Sequence, residues 1–578
     1  MARTLPQHDL RPAKRARHLA EAQETYGYSY AWPPEVATAA EVPHKDSYSA
    51  GYIAKLIPLT LEIFANNLAM GEFVAEVADF KHVIEDELES AAKLGPKAIG
   101  KWFFDIQSKK ASYMTTRQPE SVDEYGKLFA ALPAVPVWSK WDDDKAFAWQ
   151  RVAGVNPMSI RRIEALPESI GITPEHYLQA VGDQDDMRSA AAEGRLFACD
   201  YTMFGGVPMG VTNGRNKFMP ATYAVFASVH GELKPIAIQV GANAGDPVFT
   251  PGDGYGWRLA KLAFNVCDAT HHETTSHLGR THMVMEAVAI ATRRQLASHH
   301  PLYDLLHAHT DHTMPINHSA ATSLIAPGGT IDQVFAPTIE AAAGLVRAAI
   351  DGLPINVASP PDELKLRGVD DVAMLVEYPY RDDALLVWGA IEKYIGAYVG
   401  HYYESDADVV GDTELAAWVT ELGADDGGRL KGVDPPSTVA ELAKLVATFV
   451  WIGTGQHSAV NFTQWPYMSV VPNMVGAFWK EWPGEGVDAN EETHLELLSP
   501  INMAILQFNT VYQLSNLRYN HLGKYGLTTF LAPKVRRIID AFRDDLALVE
   551  AEINAREASR YLPYPHLLPS TIPNSIHI

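Results

Sequence analysis

Three histidines recur at a spacing of five residues within one stretch of the chain, at His272, His277 and His282. Imidazole is the commonest metal ligand in proteins, so histidines clustered in this way indicate a metal site. In an ideal α-helix five residues turn through about 500°, which would leave His277 and His282 roughly 140° apart. A local π-helical turn, with i→i+5 hydrogen bonds, would bring both side chains onto one face. The spacing therefore predicts a π-helical segment that directs His277 and His282 at one ion.

Two further strings could complete such a site. His457 and Asn461 are four residues apart, so a helix would place them on one face. The sequence ends at Ile578, whose terminal carboxylate is a further oxygen ligand. Three neutral imidazoles, an amide oxygen and a carboxylate suit a divalent first-row metal, and iron fits this mixed set best. Each string alone is more often structural, but together they predict a non-haem metal centre.

The elements that would carry these residues are mainly helical. Apolar residues recur with helical periodicity in seven long segments, at 53–80, 257–296, 338–353, 384–403, 438–452, 502–517 and 534–562. Strand-like runs are few, chiefly 223–229 and 235–240, which the turn at Gly231 would join as one hairpin. The sequence shows no internal repeat and no convincing linker. These patterns predict a mainly α fold, one large helical domain with a minor hairpin or small sheet.

The composition argues against several classes of function. The 578 residues include 47 Lys and Arg against 70 Asp and Glu, which gives a net charge of -23. This charge disfavours a nucleic-acid partner and electrostatic docking onto anionic membranes. Only Cys199 and Cys267 are present, so no disulfide framework is expected. The absence of a signal-peptide pattern and of a long apolar run predicts a cytoplasmic location.

The three ligand strings, in this order, resemble those of the lipoxygenase family. Short motifs along the chain carry the same resemblance, at 153–157, 196–201, 257–261, 300–303, 316–317, 367–369, 378–380 and 402–403. The resemblance covers residues 45–578 and implies a lipoxygenase-type catalytic domain. Residues 1–44 would form an N-terminal arm, too short for the lipid-associating β-barrel of most plant and animal relatives. Its basic stretch 11–18 is expected to be a solvated, partly disordered end, or else a weak contact with a membrane surface.

The resemblance implies that five groups of this chain bind a metal ion. They are His277, His282, His457, Asn461 and the carboxylate of Ile578. Together they would hold non-haem iron, cycling between Fe2+ and Fe3+, with manganese as a possible substitute. The catalytic group would be a hydroxide on that iron.

Three further polar residues are expected to support the ligands. Gln464 would hydrogen-bond to the ligand amide, and Glu273 would connect the metal with the substrate pocket. Glu286, one helical turn after His282, is expected to orient that histidine.

The resemblance also assigns three residues to the substrate pocket. Ala320 matches the position where the family has alanine for S-configured products and glycine for R-configured ones. Leu324 and Ile331 match positions that line the fatty-acid channel near the reactive carbon. An S-configured product is therefore expected.

The implied activity is insertion of O2 into a polyunsaturated fatty acid with a Z,Z-1,4-pentadiene, such as linoleate or arachidonate. Free fatty acid is the expected substrate, and a monomer is the favoured state. Two alternatives remain open: a hydroperoxide isomerase or lyase with the same fold, and a metal-containing fatty-acid-binding protein. A zinc hydrolase is disfavoured, because the histidines lack the His-Glu-x-x-His spacing.

Overall fold

The computed structural model describes residues 3–75, 77–91, 93–183, 185–484, 489–526 and 529–578. Within them are 23 α-helices, two π-helices and nine strands. The α-helices are α1 Pro12–Thr25, α2 Ala50–Ala69, α3 Val77–Ala91, α4 Pro96–Ala111, α5 Asp144–Ala153, α6 Pro174–Val181, α7 Met187–Ala192, α8 Tyr255–His271, α9 Val284–Gln295, α10 Pro301–Ala308, α11 Thr313–Ala321, α12 Thr330–Val334, α13 Ile339–Asp351, α14 Pro360–Arg367, α15 Pro379–Tyr402, α16 Asp406–Val410, α17 Thr413–Gly423, α18 Val439–Trp451, α19 His457–Asn461, α20 Gln464–Met468, α21 Glu491–Leu497, α22 Ile501–Asn516 and α23 Pro533–Glu557.

The π-helices are His272–Met283 and Ile452–Gln456. The strands are β1 Tyr28–Ser29, β2 Thr38–Ala39, β3 Arg161–Arg162, β4 Leu196–Asp200, β5 Val211–Thr212, β6 Arg215–Asn216, β7 Thr222–Val229, β8 Glu232–Val240 and β9 Val248–Phe249. Short 3-10 helices cover Pro6–His8, His44–Asp46, Gly71–Phe73, Val122–Phe129, Pro136–Ser139, Thr202–Phe204, Pro251–Asp253, Ile355–Val357 and Pro565–Leu567.

One continuous helical run passes through the centre of the molecule, from α8 through the first π-helix to α9. It is buried on nearly every side, which is expected of a helix that lies inside a large core. Helix α13 packs against its π-helical part at Gly279, where a Cβ atom would lie only 2.6 Å from the Ala349 Cβ. The close approach of these two helices therefore requires glycine at position 279.

A second buried run, from α18 through the short π-helix to α19, contacts the first at the π-helices. Gly453 lies at this crossing, and a Cβ there would be 3.0 Å from the Met285 Cε and 3.2 Å from the His309 carbonyl oxygen. The two runs thus meet in the core at the place where each departs from α-helical geometry. This second π-helix was not predicted from the sequence.

The predicted hairpin is confirmed. Strands β7 and β8 pair in antiparallel fashion and turn at His230 and Gly231, both with positive φ, as a two-residue hairpin turn requires. They form the middle of a five-stranded antiparallel sheet with the order β3-β4-β7-β8-β9. One face of β7 packs on the helical core, where the Phe226 ring stacks on Phe147. The sheet remains small beside the helices, as expected.

The seven predicted helical segments are present, with two differences. Segment 53–80 is divided between α2 and α3, because Gly71 takes φ +34 between them. Segment 534–562 ends early, at Glu557, whose carboxylate accepts a hydrogen bond at 2.9 Å from the amide of Tyr564 on the returning chain. Among the described helices, none combines the length and the apolar character needed to cross a bilayer.

The N-terminal arm differs from the expected solvated, partly disordered end. Most of the basic stretch lies in α1, and Arg15 is only 3% exposed. Its guanidinium donates to the Glu414 carboxylate at 2.8 Å and lies 3.1 Å from the Asp9 carboxylate. A buried charge is tolerated only when it is paired, so this contact holds the arm to the helical core. The domain division between residues 44 and 45 stays a prediction.

Candidate metal centre

Three imidazoles meet where the two π-helices cross. The Nε2 atoms of His277 and His457 each lie 3.2 Å from Nε2 of His282. All three side chains are buried. The twelve-residue π-helix His272–Met283 confirms the predicted departure from α-helical geometry and brings His277 and His282 together. Three ring nitrogens this close form a group that one metal ion could bind.

On His277 and His282, polar partners on the far side of the ring leave Nε2 free for a metal. His282 Nδ1 donates to the Asn317 amide oxygen at 2.7 Å, so the neutral ring has its lone pair on Nε2. His277 Nδ1 lies 3.4 Å from the Glu273 carboxylate in the same manner. Burial lowers the pKa of both His277 and His282 to about 3. The pKa of His457 is lowered well below its ordinary value, again by burial, so all three are the neutral form that metals bind.

Two oxygen-bearing groups adjoin the imidazoles. The Asn461 side chain lies within hydrogen-bond reach of the His277 ring, and its Nδ2 donates to the Leu514 carbonyl at 2.9 Å. The backbone oxygen of Ile578, a residue only 2% exposed, lies within hydrogen-bond reach of the His457 ring. The structure therefore brings the five predicted ligands together. That they bind a metal stays a prediction.

The last residues of the sequence are buried in the core. Ser575 Oγ donates to the Asp311 carbonyl at 2.7 Å, and Tyr52 Oη donates to the His577 carbonyl at 2.6 Å. These bonds fix the backbone that leads to Ile578. Sequence reasoning missed Tyr52, because nothing in its local pattern relates α2 to the other end of the chain.

The remaining histidine of the triplet is not part of the group. His272 Nε2 lies 2.8 Å from the Val460 carbonyl and is held there by the backbone of α19. His272 therefore lies outside the group that could bind a metal ion.

A chain of hydrogen bonds lies behind His282. The Asn317 side-chain amide donates to the His282 carbonyl at 3.1 Å and to the Glu286 carboxylate at 2.8 Å, which fixes its oxygen toward the imidazole. The other Glu286 oxygen accepts from the Ala39 amide of β2 at 2.8 Å. Burial raises the pKa of Glu286 to about 7. Glu286 therefore acts on His282 through Asn317, a residue whose role no spacing in the sequence indicates.

The other two expected supporting residues, Gln464 and Glu273, lie against the group. Gln464 Nε2 donates to the Asn461 side-chain oxygen at 3.2 Å. Glu273 contacts the His277 ring and also lines a neighbouring apolar cavity, and burial raises its pKa. Glu273 is thus the residue that joins the imidazole group to the cavity wall.

This cavity is lined almost wholly by apolar side chains, namely Trp32, Pro33, Glu273, Thr274, Leu278, Ile325, Ile331, Ile339, Ala342, Ala343 and Val346. Of the predicted pocket residues, Ile331 lines it. Ala320 and Leu324 are buried in the adjoining segment but are not among the described residues that line this cavity. Trp32 comes from the N-terminal arm, where its Nε1 donates to the Ile325 carbonyl at 3.1 Å, and the sequence did not predict this contact.

Comparisons with known proteins agree on one family. A family model described as Lipoxygenase matches residues 137–563. The linoleate 9/13-lipoxygenase of Pseudomonas aeruginosa is 32% identical over 638 aligned residues, which cover 100% of this chain and 92% of that protein. The human hydroperoxide isomerase ALOXE3 is 31% identical over 84% of this chain and 68% of its own length.

A solved structure shows the same fold. It is an anaerobic crystal structure of a LOX variant in complex with arachidonate, and it superposes with a TM-score of 0.86 at 24% identity. The superposition covers 100% of this chain and 84% of that one. The likeness therefore extends over the helical core and the N-terminal arm.

Replacing Asn317 with alanine tests the hydrogen-bond chain behind His282. Loss of the acceptor frees the His282 ring to rotate or change tautomer, so metal affinity should fall by about 10- to 100-fold. Iron bound per chain, measured in a chelator-buffered titration, checks this. The matched control is Asn356→Ala, which removes an exposed asparagine bonded to Asp434. Equal affinities in the two variants would show that Asn317 does not position His282.

Proposed function

The chain belongs to the lipoxygenase family, and we propose that its five converging groups hold a non-haem iron. Lipoxygenases are dioxygenases, oxidoreductases that insert O2 into polyunsaturated fatty acids. The observation that carries the iron proposal is the meeting of three buried, neutral imidazoles through their Nε2 atoms. Manganese, which accepts the same nitrogen and oxygen ligands, is the variant to be distinguished by metal analysis.

The proposed ligands divide the work by chemical type. When bound, iron would supply the one-electron oxidation that, with loss of a proton, turns the central methylene of a Z,Z-1,4-pentadiene into a delocalised radical; after O2 adds, return of the electron and the proton gives the hydroperoxide. The His277, His282 and His457 rings are neutral donors, which favour the reduced ion, and the Ile578 carboxylate is a hard anionic donor, which favours the oxidised ion. A site of this mixed kind suits a one-electron cycle.

The surrounding residues hold these ligands and exclude water. Gln464 fixes the Asn461 amide by donating to its oxygen. Glu273 extends from the His277 ring to the wall of the apolar cavity. The cavity wall beyond Glu273 is apolar, which suits the hydrocarbon part of a fatty acid and disfavours water.

We infer that the substrate is a free polyunsaturated fatty acid of the linoleate or arachidonate type. The relative from Pseudomonas aeruginosa is named for linoleate, and the superposed crystal structure contains arachidonate. Ala320 supports an S-configured product. Because one relative is named a hydroperoxide isomerase, the alternative is conversion of added hydroperoxide, which is distinguished by whether oxygen is consumed.

The terminal carboxylate gives the sharpest test of the iron proposal. Deleting Ile578, or extending the chain beyond it with a tag, should abolish activity and lower iron content, because the carboxylate is removed or displaced. The matched control is Ile578→Val, which keeps a terminal carboxylate on a similar apolar side chain and should stay active. Oxygen consumption and iron per chain are the measurements. Full activity in the extended chain would refute Ile578 as a ligand.

Replacing Ala320 with glycine tests the proposed stereochemistry. Removing the methyl group should open a second position of the pentadiene to O2 and move the product toward the R configuration. Chiral chromatography of the hydroperoxides measures the change, with wild type as reference. An unchanged ratio of R to S products would refute the proposed role of Ala320 in the substrate pocket.

A further inference from the structure

A group of polar side chains is buried where α2, α4 and α22 pack together. It consists of Asn67, Gln107, Lys110, Asn509 and Gln513, each at most 1% exposed, and we call it the α2–α4–α22 polar cluster. Among the described residues, no hydrogen-bond partner is found for Lys110 Nζ, for Gln513 Oε1, or for either side-chain amide atom of the other three. Protein cores rarely leave buried polar atoms unpaired. A partner from outside the chain is therefore expected at this cluster.

Contacts between α4 and α22 bring four of these residues together. Gln513 Nε2 donates to the Phe103 carbonyl of α4 at 2.7 Å. Beyond the other end of α4, a backbone hydrogen bond joins the following segment to the start of α22. The helices therefore run antiparallel. Gln107 and Lys110 are one turn apart on α4, as Asn509 and Gln513 are on α22, so each pair shares one face of its helix.

Helix α2 closes the third side. Its Phe64 ring centroid lies 4.2 Å from Lys110 Nζ. Asn67 follows Phe64 by one turn on the same face of α2. The Lys110 amine thus lies over an aromatic ring, at a helix junction that also carries four buried side-chain amides.

Lys110 has no partner charge. In the part of the chain that the structure describes, no carboxylate pairs with it, and burial lowers its pKa well below the ordinary value. The next residue along α4 gives a contrast, since Lys109 is exposed and ion-paired with Glu87 at 2.7 Å. A buried ammonium without an anion is strongly unfavourable. An ammonium group and amide N–H groups together are the donors that a carboxylate accepts from.

Two helices of the cluster contact the neighbourhood of the site: α4 packs against α11, which carries Ala320, and α22 bonds to Asn461, which adjoins the imidazole group. At Gly100 of α4 a Cβ atom would lie 2.4 Å from the Ser319 hydroxyl, next to Ala320. Lys110 follows ten residues later, about 15 Å along the helix at 1.5 Å per residue. Helix α22 accepts a hydrogen bond from Asn461 on its other side.

We propose that the α2–α4–α22 polar cluster binds the carboxylate of the fatty acid, with Lys110 as its ion-pair partner. The amides of Gln107 and Asn509 complete the site as hydrogen-bond donors. This inference rests on the proposed function, and it adds an orientation: the acid end lies among α2, α4 and α22, and the chain runs toward Ala320. It also gives a specificity, since an ester lacks the charge that Lys110 would pair.

The kinetic test compares linoleate with its methyl ester in iron-loaded protein. In Lys110→Met, kcat/KM for linoleate should fall by about 10- to 100-fold, the loss expected for a hydrogen bond to a charged group, while kcat/KM for the ester stays unchanged. Lys110→Arg should restore part of the preference for the acid. The matched control is Lys109→Met, which removes an exposed positive charge from the neighbouring position and should behave as wild type. An unchanged acid-to-ester ratio in Lys110→Met would overturn the proposal.

A binding measurement separates this inference from the proposed function. Stearate is saturated and cannot be oxidised, so its affinity, and that of methyl stearate, can be measured by calorimetry without turnover. Lys110→Met should lose stearate affinity by the same factor and keep the affinity for the ester. If wild type binds stearate through Lys110 but does not oxidise linoleate, the proposed function fails while this site stands. If stearate binds equally to wild type and Lys110→Met, the site fails.

Thermal unfolding shows whether the variant is folded and excludes a merely structural role. Replacing an unpaired buried amine with an apolar side chain of similar length should raise the Tm of the unliganded protein. Stearate should raise the Tm of wild type and leave that of Lys110→Met unchanged. A lowered Tm in Lys110→Met, with stearate stabilisation retained, would contradict the proposal. Gln107→Leu, which leaves the charge in place, serves as a second variant and should weaken stearate binding less.

Discussion

The group of three imidazoles depends on two buried helices that leave α-helical geometry at the same point. With ordinary helical geometry, residues five apart such as His277 and His282 would point in widely different directions. The π-helix His272–Met283 turns them together, and the short π-helix before His457 adjoins it in the core. Gly279 allows α13 to press against the widened helix, so the packing of neighbouring elements is matched to this departure. The positions of the three histidines thus depend on how the surrounding helices of the core pack together.

Much of the site could be predicted, because the information was local. The spacing of His277 and His282 requires a π-helix if both are to face one ion, and His457 and Asn461 share a helical face by simple periodicity. The short π-helix Ile452–Gln456 gave no such signal, since the pair after it is already correctly spaced for an α-helix.

The rest could not be predicted, because it depends on contacts between distant parts of the chain. The basic stretch around Arg15 has the composition of a solvated end. Its ion-pair partner, Glu414, is 399 residues away, so the local sequence could not show that Arg15 is buried. Asn317, which orients His282, and Tyr52, which anchors the last residues, likewise owe their roles to tertiary contacts. Trp32 reaches the cavity only because the arm folds back over the core. The predicted boundary at residue 45 treated the arm as separate from the core, so it did not predict the contacts of Arg15 and Trp32 with the core.

The distribution of charge in the protein suits a substrate that has a long apolar chain and one carboxylate. The chain carries a net charge of -23, yet its imidazole group is neutral and the cavity beside it is nearly all apolar. The buried, unpaired amine of Lys110 stands apart from this pattern. It belongs to the α2–α4–α22 polar cluster, which we propose binds the acid end of the substrate.

The most direct test of the account is the ultraviolet absorbance of conjugated dienes after purified, iron-analysed protein is mixed with linoleate or arachidonate, under air and under nitrogen. The account predicts a rise in absorbance under air, none sustained under nitrogen, and one iron per chain. Iron-loaded protein that produces no conjugated diene under air would contradict it.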